Sequence, residues 1–412
     1  MSYPGPIRGR RAVLANGMYR LLFVAALGSG VGTWMATIAL TRDVNLRTHS
    51  TWWVSALFIV TFLPSVVVGL AIGPLIDRLS RKMLIVAADL VRLVVFALLP
   101  FADHPIVMIA LAAVAGIANS FFRPAVLAGV PNLVEAEDLD AATSLLQGTD
   151  WVAAALGPVV GAVLVSVSGA DLVYWINAAT FLFSALLLVQ IPARLLQSEQ
   201  GISRGHWRDL REGLSAYRRS TPLRIALYGF GLTMVATGLV NISEYFLATR
   251  SLHAGVFGFG LLWSGSGVGL VAGSILTGIL LQGRDVLATY VFAFVPIVAG
   301  IVGAAAAPNI WIAALAMVVS GFGNGLAFPM TVLIVQRHTT DSVRGRAFTA
   351  IISIHNGLLG LAMVAAGGLV ESLGPRWTYV LAAVFTAGSA ATVLVLSRGV
   401  GASPALASEP AA

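Results

Sequence analysis

Between two long apolar runs the sequence reads Gly73-Pro74-Leu75-Ile76-Asp77-Arg78-Leu79-Ser80-Arg81-Lys82-Met83. Four charged residues fall within six positions of a chain that is only 10% charged. A segment so short and so basic must lie in water, so we predict a tight loop at a membrane surface. The candidate functional residues of this loop are Gly73, Asp77, Arg78, Arg81 and Lys82.

The composition places the chain in a membrane. Its 412 residues are 58% hydrophobic, and the mean hydropathy is +0.89. Soluble domains are roughly 45–50% apolar and about 25% charged, so this excess predicts an integral membrane protein. Cysteine is absent, which excludes disulfides, thiolate metal sites and cysteine nucleophiles. The net charge of +7 is spread between apolar runs, so we predict no nucleic-acid partner.

Twelve apolar segments follow one another, at 18–41, 51–75, 83–101, 105–128, 144–168, 172–192, 222–247, 256–281, 286–307, 309–334, 347–371 and 376–397. Each is near the roughly 20 residues that a helix needs to cross a bilayer. Because backbone groups cannot stay unpaired in lipid, we predict that all twelve are helices. Only Pro308 and Asn309 mark the boundary between the ninth and tenth segments.

The basic residues are unevenly divided between the two sets of loops. With both termini inside, only four of the 25 Lys and Arg residues fall in outer loops, namely Arg42, Arg47, Arg250 and Arg376. Cytoplasmic loops carry an excess of basic residues. We therefore predict a multi-pass protein of the cell membrane, plasma or inner, with both termini in the cytoplasm.

One long hydrophilic stretch at the midpoint divides six helices from six. We expect a disordered basic tail at 1–17, an N-terminal six-helix bundle at 18–192, a cytoplasmic linker at 193–221, a C-terminal six-helix bundle at 222–397 and a disordered tail at 398–412. The linker carries large apolar residues spaced three or four positions apart, namely Trp207, Leu210, Leu214 and Tyr217. This spacing predicts an amphipathic helix on the inner membrane surface.

The two halves repeat at one offset of 205 residues. The matched pairs are Gly73 with Gly278, Gly116 with Gly321, Asn119 with Asn324, and Pro124 with Pro329. Internal repeats in a multi-pass protein indicate a transporter with its site at the repeat interface. The repeat is incomplete in the loop, because Asp77 corresponds to Gln282 and Arg78 to Gly283. The second half therefore lacks the acidic residue.

The loop at 73–83 resembles the signature of the major facilitator superfamily, G-x-x-x-D-R-x-G-R-[RK], with Ser80 replacing the usual second glycine. With twelve helices and a repeat of six, the resemblance covers the whole chain. Within the superfamily, the chain is similar to the drug:proton antiporter branch of macrolide efflux proteins and enterobactin exporters. The residues behind this are Asp89, Arg92, Phe122-Arg123-Pro124-Ala125, Pro131-Asn132-Leu133-Val134, Leu156-Gly157-Pro158, Gly161 and Trp207-Arg208-Asp209-Leu210-Arg211-Glu212-Gly213.

The resemblance implies the major facilitator fold, an all-α membrane protein of twelve transmembrane helices in two pseudo-symmetric six-helix bundles. It also implies a central cavity that is lined in part by the seventh helix. Asp77 would latch the outward-open state against the second half, with solvation of a loop carboxylate as the alternative. Arg78, Arg81 and Lys82 would pair with Asp77 or Asp138, or hold anionic lipid headgroups.

Ionisable residues inside a membrane are costly and mark functional sites. Asp89 and Arg92 share one face of the third helix, which predicts either an ion pair of the gate network or a proton site. Asp150 on the fifth helix can pair with Arg123 on the fourth, in the same network or in a structural role. Glu244 on the seventh helix is the candidate for proton coupling, or for binding a cationic substrate, unless it lies at a solvated helix end.

Polar and aromatic residues at helical spacing suit a cavity for bulky amphipathic ligands. Helix packing is the alternative role for most of them, and for His355 a hydrogen-bonded structural position. The substrate-cavity candidates are Trp34, Thr37, Asn119, Asn241, Asn324, Phe328, His355 and Asn356.

These features predict a secondary active transporter, a proton-coupled exporter of a hydrophobic or amphipathic small molecule such as a drug, macrolide or siderophore. A lipid or lysophospholipid translocator is one alternative, and a non-transporting receptor or scaffold is another. The sequence carries no phosphate-binding loop, metal-ligand spacing or nucleophile elbow, so we predict neither an enzyme nor a cofactor. We expect a monomer whose partners are its substrate, protons and membrane lipid.

Overall fold

The computed structural model describes residues 10–71, 80–196, 214–281 and 285–398, of which 10–12, 65–71 and 341–342 are described by their backbone alone. Gly73, Asp77 and Arg78 of the charged loop lie outside these residues, as do Trp207 and Leu210 of the linker.

Twelve long helices form the described part of the chain. They are α1 (Gly17–Thr48), α2 (Thr51–Ala71), α3 (Arg81–Leu98), α4 (Pro105–Gly129), α5 (Leu139–Ser168), α6 (Ala170–Val189), α7 (Thr221–Phe246), α8 (Gly255–Leu280), α9 (Val286–Ala306), α10 (Ile310–Arg337), α11 (Asp341–Leu373) and α12 (Pro375–Ser397). Within the described ranges eleven are long and apolar enough to cross a membrane, and the twelfth, α2, is apolar over its searched part, Thr51–Pro64. The predicted all-α fold of twelve membrane helices is confirmed.

Helix boundaries depart from the apolar runs where polar residues find partners. The first helix continues to Thr48, past the predicted end at 41, because Asp43 accepts a hydrogen bond from Tyr174 at 3.2 Å and pairs with Arg42. Between α9 and α10 the predicted boundary holds, because the side chain of Asn309 accepts the backbone N–H of Ile312 and caps α10.

Two segments differ from their predicted form. A short helix, Arg10–Ala15, lies within the expected tail, and its Val13 is buried among apolar residues of the first half. In the linker, residues 214–219 are helical, and the buried Tyr217 donates a hydrogen bond to the carbonyl of Ala347 on α11. This part of the linker therefore packs against the second half.

The two halves pack their helices in the same pattern. In the first half α4 packs on α2, and in the second α10 packs on α8, which are the helices related by the repeat. Gly116 and Gly321 occupy equivalent contacts, because a Cβ at either would collide with backbone of the facing helix. The repeat of Gly116 at Gly321 is therefore a repeat of close helix approach.

Most of the contact between the halves is made by two helix pairs of the described residues, α5 with α8 and α2 with α11. The face where α1 and α7 begin and α6 and α12 end is called the terminal face below. The face that carries the connection from α1 to α2 is called the opposite face. Side-chain links between the halves lie toward the opposite face, where Thr51 of α2 donates to the carbonyl of Gly367 on α11 at 2.8 Å.

Candidate functional site

A cavity of about 640 Å³ lies between the two halves and is lined by residues of both. At its terminal end, Arg123 and Asp150 keep 45% and 36% of their side chains exposed. At its other end, Glu244 and Trp263 are buried, at 2% and 9% exposure. Among the residues that the structure describes, the cavity is therefore open toward the terminal face and closed toward the opposite face.

Polar residues at helical spacing line the cavity from one helix of each half. On α1, Ser29, Thr33 and Thr37 are four residues apart, and each hydroxyl donates to the carbonyl one turn earlier. These hydroxyls are satisfied within the helix and present their oxygens as acceptors. On α7, Asn241 and Glu244 line the cavity together, as the sequence predicts from their spacing.

Aromatic rings close the cavity toward the opposite face. Trp34 of α1 and Trp263 of α8 meet at 4.8 Å between ring centroids, and Phe58 of α2 lies 6.1 Å from Trp263. The Nε1 atom of Trp263 is buried and has no hydrogen-bond partner among the described residues. Sequence analysis missed Trp263, although its place within the glycine-rich run of α8, between Gly260 and Gly265, marks it as a large residue on a close-packed helix.

Glu244 is buried inside the cavity wall and is not a solvated helix end. Its Oε1 atom has no hydrogen-bond partner among the described residues, and the same holds for the hydroxyl of Tyr379 on α12. The two side chains are close enough to interact electrostatically. A buried carboxyl without a partner is costly when charged, so this position favours binding of a proton or a cation.

Asp89 and Arg92 form a buried ion pair, with 2.5 Å between Oδ1 of Asp89 and Nη2 of Arg92. The second carboxylate oxygen accepts from Ser184 of α6 at 2.6 Å. The guanidinium lies over the rings of Phe122 and Phe181, at 4.3 and 4.4 Å from their centroids. The pair therefore ties α3 to α4 and α6, and its Arg92 lies at the cavity wall.

Arg123 and Asp150 also pair, across α4 and α5, at the terminal end of the cavity. This pair is half-exposed and lies on the cavity surface, whereas Asp89 is fully buried. The structure thus divides the four predicted gate residues into a buried pair, Asp89 and Arg92, and a half-exposed pair, Arg123 and Asp150.

The described end of the charged loop contacts helix ends. Arg81 donates to the carbonyls of Ala128 and Leu196, at 2.9 and 3.0 Å, and Lys82 donates to that of Val189 at 2.6 Å. Cations are favoured near the C-terminal carbonyls of helices, and α4 and α6 end beside these residues. The two basic residues hold the terminal face of the first half together.

Six of the eight predicted substrate-cavity residues line the cavity, namely Trp34, Thr37, Asn119, Asn241, Asn324 and Phe328. The other two do not. His355 faces α7, where its Nε2 lies 3.1 Å from the carbonyl of Leu227 and its ring packs on Phe230. Asn356, the next residue, is also absent from the cavity wall. The sequence around a lone polar pair does not reveal which face of the helix the pair occupies. Here His355 contacts the neighbouring helix α7 and not the cavity.

Comparison with known proteins gives a consistent result. The sequence model described as Major Facilitator Superfamily matches residues 21–284 and 231–411. The chain is similar to the enterobactin exporter EntS of Citrobacter koseri, with 27% identity over 379 residues, 87% of this chain and 86% of that protein. It is also similar to macrolide efflux protein A of Enterococcus faecalis, with 28% identity over 191 residues, 45% of this chain and 57% of that protein.

The fold has a solved counterpart in the nucleoside transporter NupG. The two structures superpose with a TM-score of 0.71 over 93% of this chain and 99% of the other, at 16% sequence identity. The likeness concerns the arrangement of the helices.

Proposed function

Because this chain belongs to the Major Facilitator Superfamily, and is thus a multi-pass membrane transporter and not an enzyme, we propose that it exports hydrophobic or amphipathic small molecules in exchange for protons. The observation that carries the proposal is the buried carboxyl of Glu244, which lines the cavity without a hydrogen-bond partner among the described residues.

The cavity wall supports the substrate class. Trp34, Trp263 and Phe328 supply large apolar surfaces, while a few side chains such as Asn119 and Asn241 supply hydrogen bonds. Ligand sites for drug-sized molecules combine apolar walls with a small number of placed polar groups. The two similar proteins named above are an enterobactin exporter and a macrolide efflux protein, and both names describe export.

Alternating access supplies the transport cycle. The structure is open toward the terminal face, and the basic residues of the loops favour the cytoplasm for that face. Rocking of the halves about α5–α8 and α2–α11 would expose the cavity to the other side. The resemblance gives Asp77 the role of latching that second state. A single chain supplies both walls of the cavity, so the cycle needs no second copy.

The position of Glu244 supports proton coupling. When the cavity faces a proton-rich side, the carboxyl binds a proton and becomes neutral. When it faces the other side, the proton leaves. Because a charged carboxylate is costly in an apolar wall, the carboxyl takes up a proton again when the cavity next faces the proton-rich side. An incoming amphipathic substrate and the proton would then occupy the cavity at different stages of the cycle, which is the requirement for exchange.

The test is export from an efflux-deficient host, screened with macrolides, a catecholate siderophore and a lysophospholipid, with and without a protonophore. We expect resistance to at least one hydrophobic compound, and its loss with the protonophore. In everted vesicles, Glu244→Gln should make uptake insensitive to an imposed pH gradient, whereas Glu137→Gln, on an exposed terminal-face loop, should leave the response intact.

Two results would contradict the proposal. Unchanged pH dependence in Glu244→Gln would remove this carboxyl from proton coupling. Movement of lysophospholipid alone, with no small molecule exported, would favour a lipid translocator.

A further inference from the structure

Two asparagines related by the internal repeat face one cavity from opposite halves. Asn119 lies on α4 and Asn324 on α10, and both line the space between the bundles. Both side chains are partly buried. An amide has a donor end and an acceptor end, so the partner that each amide already holds decides which end remains for a ligand.

The amide of Asn119 is oriented by Arg92. Nη1 of Arg92 donates to Oδ1 of Asn119 at 3.3 Å. A guanidinium has only donors, so the amide oxygen must face it. Arg92 is itself held by Asp89 and by the carbonyl of Ala88. Among the described residues nothing accepts a hydrogen bond from the NH₂ group of Asn119, which leaves this group as a donor at the cavity wall.

The amide of Asn324 has the reverse orientation. Its Nδ2 donates to the carbonyl of Ser320, one turn earlier on α10, at 3.2 Å. A carbonyl can only accept, so the NH₂ group must face it. No described residue donates to Oδ1 of Asn324, which leaves this oxygen as an acceptor at the cavity wall. The two repeat-related amides therefore offer opposite hydrogen-bonding groups.

We propose that Asn119 and Asn324 form a paired subsite for a secondary amide or lactam of the substrate. The substrate carbonyl accepts from the NH₂ of Asn119, and the substrate N–H donates to the oxygen of Asn324. This inference rests on the proposed function and names the chemical group that the cavity selects. Phe122 and Phe328, which line the cavity on α4 and α10, provide apolar surface for the rest of such a molecule.

Selection follows from the cost of unmet hydrogen bonds. A ligand that fills the cavity but lacks the carbonyl or the N–H would bury one asparagine group without a partner. Sites built to hydrogen-bond a ligand reject analogues that lack the group more strongly than apolar pockets reject a missing methyl group. Because the two amides belong to different halves, a bound substrate amide would also link the bundles.

The probes are N-(1-naphthyl)octanamide, its N-methyl derivative, which lacks the N–H, and N-octyl-1-naphthylamine, which lacks the carbonyl. Binding of each to the purified full-length transporter is followed by naphthyl fluorescence, without any ion gradient. The wild type should bind the octanamide at least about fivefold more tightly than either analogue, as expected for one unmet hydrogen bond.

Each asparagine variant should abolish one of the two binding preferences, against the N-methyl derivative or against the amine, and keep the other. Asn324→Leu should bind the octanamide and its N-methyl derivative equally, whereas a steric effect of the methyl group would persist in this variant. Asn119→Leu should bind the octanamide and the amine equally. Should Asn119→Leu unfold, Asn119→Asp keeps an acceptor for Arg92 and still removes the donor. Asn356→Leu, which changes an amide outside the cavity wall, should keep both discriminations.

The proposal is overturned if the wild type binds the three probes equally or binds none, or if the Asn119 and Asn324 variants keep both preferences. Export by the same variants is measured separately in cells. Intact proton-driven export with no amide preference would reject the paired subsite alone. An intact amide preference in a protein whose transport ignores the proton gradient would reject the proton coupling alone.

Discussion

Asn45 donates a hydrogen bond to the hydroxyl of Tyr245, with 3.2 Å between Nδ2 and the hydroxyl oxygen, and so joins α1 of the first half to α7 of the second. The link lies near the opposite face, beyond the aromatic end of the cavity. Thr51 makes a comparable link between α2 and α11, to Oε2 of Glu371 at 3.1 Å. Contacts made in only one conformation shift the equilibrium between the two toward that conformation.

Tyr245→Phe removes the acceptor for Asn45 and should raise the population that opens toward the opposite face. One hydrogen bond contributes about 0.5–1.5 kcal/mol, which corresponds to roughly a two- to tenfold change in that population. The chain has no cysteine, so Thr37→Cys on the cavity wall gives a single labelling site. A membrane-impermeant maleimide added to intact cells should label this cysteine faster in the Tyr245→Phe background.

The matched control is Tyr228→Phe, which removes a hydroxyl from an exposed residue of the same helix. It should leave the labelling rate unchanged. Equal rates in both tyrosine variants would mean that the Asn45–Tyr245 bond does not hold the opposite face closed.

Asp89→Asn leaves the guanidinium of Arg92 buried without its charge partner. Breaking a buried ion pair from one side costs about 3–5 kcal/mol, and we expect a loss of stability of this order. The free energy of unfolding, or the melting temperature in detergent, measures it. The double variant Asp89→Asn/Arg92→Met should recover much of the loss, because it removes the unpaired charge as well.

Asp150→Asn is the comparison for this prediction, since its partner Arg123 is half-exposed. Solvated pairs contribute only about 0.2–1 kcal/mol, so Asp150→Asn should change the stability little. Because Asp150 lies at the cavity entrance, transport is the more sensitive measurement for this variant. A loss of stability as large as that of Asp89→Asn would contradict the division of the four residues into a buried and a half-exposed pair.

The sequence predicts most of the fold and less of the site, for physical reasons. Backbone groups must be hydrogen-bonded within a segment that crosses lipid, so the apolar runs form helices and the twelve helices can be predicted from the sequence. The Asp89–Arg92 pair follows from helical spacing, and the Arg123–Asp150 pair between neighbouring helices follows from the cost of an unpaired charge in lipid. The placement of His355 does not, because it depends on which neighbouring helix offers a carbonyl, here that of Leu227. Trp263 was missed because contact between α1 and α8 is a long-range packing result.

Gly321→Ala should destabilise the second half, because the added methyl group would meet the backbone of Ser266 on α8. Overpacking a close helix contact typically costs about 1–3 kcal/mol, and backbone cannot move aside as a side chain can. Gly360→Ala is the matched control, since its Cβ would lie 3.6 Å from Leu63, an ordinary contact. There alanine should be neutral or stabilising by up to about 1 kcal/mol, from helix propensity. Melting temperatures of the two variants decide the matter: if Gly321→Ala melts no lower than Gly360→Ala, the repeated glycines are not the close-approach positions that shape both halves.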